Sequence, residues 1–279
     1  MKKITLALLL LPLFFYCQTA VSFNEIPADF VYNIKQHGDS IYYATNSGEI
    51  FRFHLENADE PVSVGVKKNH PIRSLLFIND NTLLACSYRS GLYKVVNDTL
   101  DTRPEWYHPA WSMKAGTNGT IWLAGRNGIY KQSGDTFELF SECREAFDLA
   151  FYKNELVVGH YKGISFYDMD SGHLIRTLCK DTVCWMTTVI DTTLICGGVE
   201  CCVIISGDSI RTVKLEPKNN IPWACAADSS HSLMLATEKG LFQIRNDDEK
   251  ASCIGYYKRC IKSVFIDSRG TLWVGRYFK

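Results

Sequence analysis

Six side chains able to grip a ligand recur at near-forty-residue intervals: Arg73, Trp111, Phe147, Trp185, Trp223 and Lys262. Each stands near the start of an apolar stretch, and Val31 holds the corresponding place in the first such stretch. Aromatic faces stack on sugar rings and on other flat groups, while an arginine fork matches a carboxylate. A second set follows further along the same copies: Tyr88, Arg89, Arg126, His160, Tyr161, Arg276 and Tyr277. If both sets converge, they frame a pocket for a glycan, an acidic one included, or for a peptide. The competing expectation is that the rings wedge between packed sheets and meet no ligand, because aromatic side chains are more often core than contact.

What must position these residues is a repeat. A compact residue returns at Ala44, Cys86, Ala124, Gly159, Gly197, Ala236 and Gly275, at spacings of 42, 38, 35, 38, 39 and 39. Two places earlier stands a bulky apolar residue: Tyr42, Leu84, Trp122, Val157, Ile195, Met234 or Trp273. Residues two apart share one face of a strand. Bulk beside smallness on that face suits sheets that pack closely against their neighbours. A glycine opens the next strand at Gly48, Gly91, Gly128, Gly163 and Gly240, with Cys201 in its place in the fifth copy. Turn signals such as Asn79-Asp80-Asn81, Asn118-Gly119 and Ser171-Gly172 arrive too often for long helices. The period is that of a four-stranded propeller blade. The expected fold is therefore all-β, a seven-bladed β-propeller with copies near 30–56, 72–98, 110–135, 146–170, 184–208, 222–247 and 261–279.

The seventh copy supplies only two strands before Lys279. A propeller must join its last sheet to its first, or leave open edges. The segment Val21–Ile26 is expected to add a strand to that copy and close the ring as a three-stranded blade.

The unit Asp267-Ser268-Arg269-Gly270-Thr271-Leu272-Trp273-Val274-Gly275 resembles the two-component regulator propeller repeat. Thr117–Gly125 with Gly128-Ile129-Tyr130, and Leu235–Phe242, are similar to the same pattern. The resemblance covers about residues 30–279, closely in three or four copies. Such repeats form the periplasmic sensor half of hybrid histidine kinases, mostly of Bacteroidetes, many of which respond to glycans. What the resemblance implies is a sensor-like propeller, here without a transmembrane helix or kinase after the repeats.

Chemistry of other kinds finds little footing. No Gly-x-Ser-x-Gly elbow or phosphate-binding loop occurs. Asp267-Ser268-Arg269-Gly270-Thr271 departs from a sialidase Asp-box in the spacing from Asp to Gly. The seven histidines fall at unrelated repeat positions, so neither a metal ring nor a cofactor is expected. The leading expectation is non-enzymatic binding of a glycan or peptide ligand or of a protein partner; the enzymatic alternative is a propeller polysaccharide lyase or lactonase, with His160, Tyr161 and Arg126 as its candidates.

Thirty basic residues balance thirty acidic ones, which gives no reason to expect nucleic acid as a partner. Lys2-Lys3 followed by the apolar run Leu6–Tyr16 reads as an export signal over residues 1–20, leaving 21–279 as one propeller domain. Cys17 is a candidate lipid anchor, although Phe15 and Tyr16 are bulky for that purpose. The expected location is the periplasm or the cell envelope. Of the remaining cysteines, Cys179 with Cys184 and Cys253 with Cys260 are close enough in sequence to pin short loops by disulfides.

Overall fold

The computed structural model describes residues 23–26, 30–56, 60–101, 103 and 105–276. The expected export signal, Cys17 and Tyr277 lie outside them. Every regular element among the described residues is a strand, and the strands form six four-stranded sheets and one three-stranded sheet. Within each sheet the repeat strands pair antiparallel in sequence order, so each copy is one blade. The fold is a seven-bladed β-propeller, as the period requires.

Each of the six four-stranded blades carries its outermost strand beyond the three that the repeat spells out. These are Val62–Val66, Thr99–Leu100, Thr136–Glu142, Leu174–Leu178, Ser209–Lys214 and Ser252–Gly255. They face solvent along much of their length, with Val62, Leu139, Leu174, Ile175 and Ile210 exposed.

The apolar residues divide into seven clusters, one at each junction between adjacent blades. Burying both faces of a sheet against its neighbours leaves no blade with a core of its own. The small-and-large pair explains itself at these junctions. Trp122, Val157, Ile195 and Met234 are 0–2% exposed, and the compact residues Ala44, Cys86, Ala124 and Ala236 are fully buried. A Cβ added at Gly159 would stand 2.9 Å from the Cys184 carbonyl oxygen, and one at Gly197 would meet the Pro222 ring at 2.6 Å. The compact position is therefore where the first residue of the next blade leans in. Gly91, with φ of +99°, could not take a side chain at all, since its Cβ would strike the Trp106 carbonyl.

Closure uses the N-terminal segment. Phe23–Glu25 joins Leu272–Arg276, pairing Phe23 with Leu272, Asn24 with Trp273 and Glu25 with Val274. The pairing is parallel, a direction that the sequence does not specify. Ile26, 1% exposed, then enters the junction of blades 7 and 1 beside Val31, Tyr43 and Trp273. Val31 O accepts a hydrogen bond from Ser263 Oγ at 2.8 Å, which ties the innermost strands of the same two blades.

Candidate functional site

The innermost strands are Val31–His37, Ile72–Asn79, Ala110–Ala115, Ala146–Tyr152, Cys184–Ile190, Pro222–Ala227 and Ile261–Ile266. All seven break register between their first and third residues. The second residue is left unpaired, and a bulge of this kind re-aims the side chain of the extra residue. Those second residues are Tyr32, Arg73, Trp111, Phe147, Trp185, Trp223 and Lys262, and all seven line one cavity of about 250 Å3 on the propeller axis.

One expectation is corrected here. Val31 is fully buried and pairs with Thr45, matching Ile72, Ala110 and Ile261 at the blade junctions, and Tyr32 takes the ring position. The bulge accounts for the slip, because it moves the inward-facing position by one residue where period-two counting sees none.

Four consecutive blades make an aromatic arc. Trp111 meets Phe147 edge-on at 5.5 Å, Phe147 stacks on Trp185 at 4.0 Å, and Trp185 leans on Trp223 at 5.3 Å. These four rings are half-buried, whereas Trp106, Trp122 and Trp273 are packed at blade junctions at 8%, 2% and 4% exposure. The six tryptophans thus split evenly between core and cavity.

Cations flank the arc, in two different states. Lys262 Nζ lies 3.2 Å from the Trp223 ring centroid and 3.2 Å from Glu238 Oε2. Glu238 Oε2 also accepts from Trp223 Nε1 at 3.1 Å and from the Cys260 thiol at 3.3 Å. Burial works to raise the Glu238 pKa, but the Lys262 charge and these donors outweigh it and hold the carboxyl below its usual range. Lys262 is thus neutralised within the protein. Arg73 is not. Its guanidinium lies over Tyr32 at 4.1 Å and Tyr88 at 4.9 Å, it forms no ion pair among the described residues, and its buried Nε has no hydrogen-bond partner. Trp185 Nε1 is likewise buried without an acceptor. With the Thr187 hydroxyl, also buried and unpartnered, three polar groups of the cavity lining lack a partner among the described residues.

The second set converges less. Tyr88 joins the mouth through Arg73. Arg89 is exposed and donates to Asn69 O at 3.3 Å, and Arg126 is exposed away from the cavity lining. The Arg276 backbone pairs with Ile261 at the end of the last strand. Tyr161 lies beneath Arg144 at 5.3 Å, outside the cavity lining.

His160 is buried inside blade 4. Its Nδ1 accepts from the Lys162 backbone N–H at 3.3 Å, which leaves the proton on Nε2 to donate to Ser165 Oγ at 2.8 Å. Burial, and then the Lys162 charge, lower its pKa. Both ring nitrogens are therefore committed to holding a turn. The expected loop disulfides are not formed: all four cysteines are free thiols, with Cys184 Sγ directed at Met186 O, Cys253 Sγ at Gly255 O and Cys260 Sγ at Glu238.

Sequence reasoning passed over Tyr32, Lys35, Lys114, Asp148 and Glu238. Lys35, Lys114 and Asp148 line the same cavity. Asp148 Oδ1 accepts from Ser112 Oγ at 2.6 Å and Oδ2 from the Thr187 N–H at 2.9 Å, so one carboxylate staples blades 3, 4 and 5.

No family model matches the chain, and no curated protein sequence matches it. Solved structures do match its fold. The extracellular domain of a putative hybrid two-component system from B. thetaiotaomicron is similar over 91% of this chain, at 18% identity and a TM-score of 0.74. A second structure, described as the extracellular domain of a putative one-component system of the same organism, gives 17% identity over 92% of this chain and a TM-score of 0.73. The chain spans 38% of the length of each. The WD40 propeller domain of Doa1 is similar at 11% identity and a TM-score of 0.71, over 89% of this chain and 90% of that one. At these identities the likeness establishes the propeller fold.

Proposed function

We propose that this chain is an exported, sensor-like, non-enzymatic propeller that binds an acidic glycan at the mouth of its central channel. One observation carries the reading: a four-ring aromatic arc in the cavity wall, ending beside an arginine that no carboxylate among the described residues neutralises. Sugar rings present flat C–H faces to the arc, and a uronate carboxylate supplies the acceptor that Arg73 lacks. The commitment of His160 within blade 4 argues against the lyase or lactonase alternative, because that imidazole has no free nitrogen for proton transfer.

The sensor reading draws support from the repeat resemblance and from the two extracellular domains that share the fold. Export rests on residues 1–20 acting as a leader, which leaves 21–279 as the mature propeller; the alternative is cleavage before Cys17 with lipid attachment to that cysteine.

The test compares an oligogalacturonate with its methyl-esterified form, in which the carboxylate charge is removed, by calorimetric titration of the wild type and R73M. The reading expects the acid to bind about tenfold or more tightly than the ester. It also expects R73M to bind both forms at the ester's level. Equal affinity for acid and ester, or no binding of either, overturns it. A reaction product in the titration cell that disappears in H160A would restore the enzymatic alternative.

A further inference from the structure

Beyond the ring, the channel becomes a cationic throat. Three residues after the bulge position, the cavity is lined by Lys35, Leu76, Lys114, Thr188, Ala226 and Phe265. At a rise of about 3.3 Å per residue, this level lies roughly 10 Å along the axis from Arg73. Lys35 and Lys114 stand on blades 1 and 3, either side of Leu76 on blade 2.

The charges at this level do not balance. Among the described residues Asp148 is the one carboxylate in the cavity lining, and its two oxygens already accept from Ser112 Oγ, the Leu149 N–H and the Thr187 N–H. No ion pair among the described residues includes Lys35 or Lys114. A lysine withdrawn from water, as Lys35 is, is normally paired. Burial brings Lys35 down to about 8, with the like charge of Lys114 adding to the effect and Asp148 opposing it. Around them the same cavity holds Arg73 and the internally neutralised Lys262.

The geometry points to an anion subsite in the throat of the channel, between Lys35 and Lys114, for a carboxylate, sulfate or phosphate group. It rests on the reading of the channel as the ligand site, and it extends that reading to the ligand itself. A molecule seated at the mouth through Arg73 carries a second anionic group, roughly 10 Å deeper. An acidic oligosaccharide entering end-on meets that description, and a free inorganic anion shares the chemistry of the inner pole alone.

The experiment uses the mature protein with 13C-labelled lysine, its Cε–Hε signals followed by NMR at pH 7 during titration with sodium sulfate. Signals are assigned from K35M and K114M, and sodium chloride at matched ionic strength is the control. The Lys35 and Lys114 signals should move together and saturate with sulfate but not with chloride. In K35M, the affinity reported by Lys114 should fall about tenfold or more, and K35R should restore most of it.

Lysine signals that follow sulfate and chloride alike, or an affinity unchanged in K35M, overturn the subsite. A parallel arm with oligogalacturonate separates this failure from failure at the mouth. Arg73-dependent binding of the oligosaccharide with fixed lysine signals removes only the throat site. Saturable sulfate binding with no oligosaccharide binding keeps the throat as an inorganic-anion site and removes the glycan reading.

Discussion

Replacing Trp185 and Trp122 separately by alanine distinguishes a ligand-facing ring from a core wedge. Trp122 is 2% exposed and packs edge-on against Phe140 at 4.7 Å and Phe151 at 6.0 Å, in the cluster between blades 3 and 4. Its truncation leaves a cavity that closed sheets cannot collapse into, a loss of about 4 kcal/mol. At roughly 2–4 °C per kcal/mol for a domain of this size, the unfolding midpoint falls by about 8–16 °C. Trp185 is half-buried, holds one close stack on Phe147 at 4.0 Å, and has an indole N–H without an acceptor. Removing it orphans no protein group and forfeits one stack and part of one burial, about 1–2 kcal/mol, or roughly 2–8 °C. Affinity for oligogalacturonate should move the other way, dropping about tenfold in W185A and little in W122A. Thermal unfolding by circular dichroism and calorimetric titration give both numbers. If W185A melts as early as W122A while its affinity is intact, Trp185 is a core residue and the cavity reading fails.

Two further outcomes follow from the buried charges. Lys35 has a folded pKa of about 8 against roughly 10.4 in an unfolded chain. Between those values the unfolded state binds more protons, so this lysine makes stability rise as pH increases from 8 to 10 and leaves its full penalty in place below 8. K35M should therefore be more stable than wild type at pH 7 in guanidinium unfolding, with the difference shrinking by pH 10; an unchanged difference contradicts the burial. Asp267 accepts from the Arg269 and Thr271 N–H groups at 2.8 and 2.9 Å and from Trp273 Nε1 at 2.8 Å. Burial opposes ionisation there, but these donors prevail and lower its pKa. Its contribution is present above pH 4 and disappears as pH falls through the lower folded value. D267N, which turns an amide donor toward one of those N–H groups, should lose about 1–3 kcal/mol at pH 7 and converge on wild type in acid.

Much of the fold was legible because blade packing repeats one steric demand. The pairs Trp122 with Ala124 and Trp273 with Gly275 sit at junctions that could accept little else. The turn from Asp267 to Thr271, which stood out by its repeat motif, proves to hold Trp273 in place. The outermost strands were not legible, since Leu174–Leu178 and Ser209–Lys214 answer to solvent on one side and carry no burial pattern. Nor was the parallel direction of Phe23–Glu25, because three residues can pair either way. At the site, Arg73 and the aromatic arc follow from repeat alignment. Tyr32 escaped it through the bulge, and Lys35 and Lys114 escaped it because only two of seven blades place a cation there. His160 looked chemical in sequence because its hydrogen-bond partners, Ser165 and the Lys162 backbone, are ordinary residues of its own hairpin.

The indole N–H signals of the six tryptophans offer the most direct test. In a 15N-labelled sample titrated with oligogalacturonate, those of Trp111, Trp185 and Trp223 should shift with one common affinity, while Trp106, Trp122 and Trp273 stay in place. Shifts confined to the buried three, or binding that moves none of the six, would contradict a ligand seat at the channel mouth.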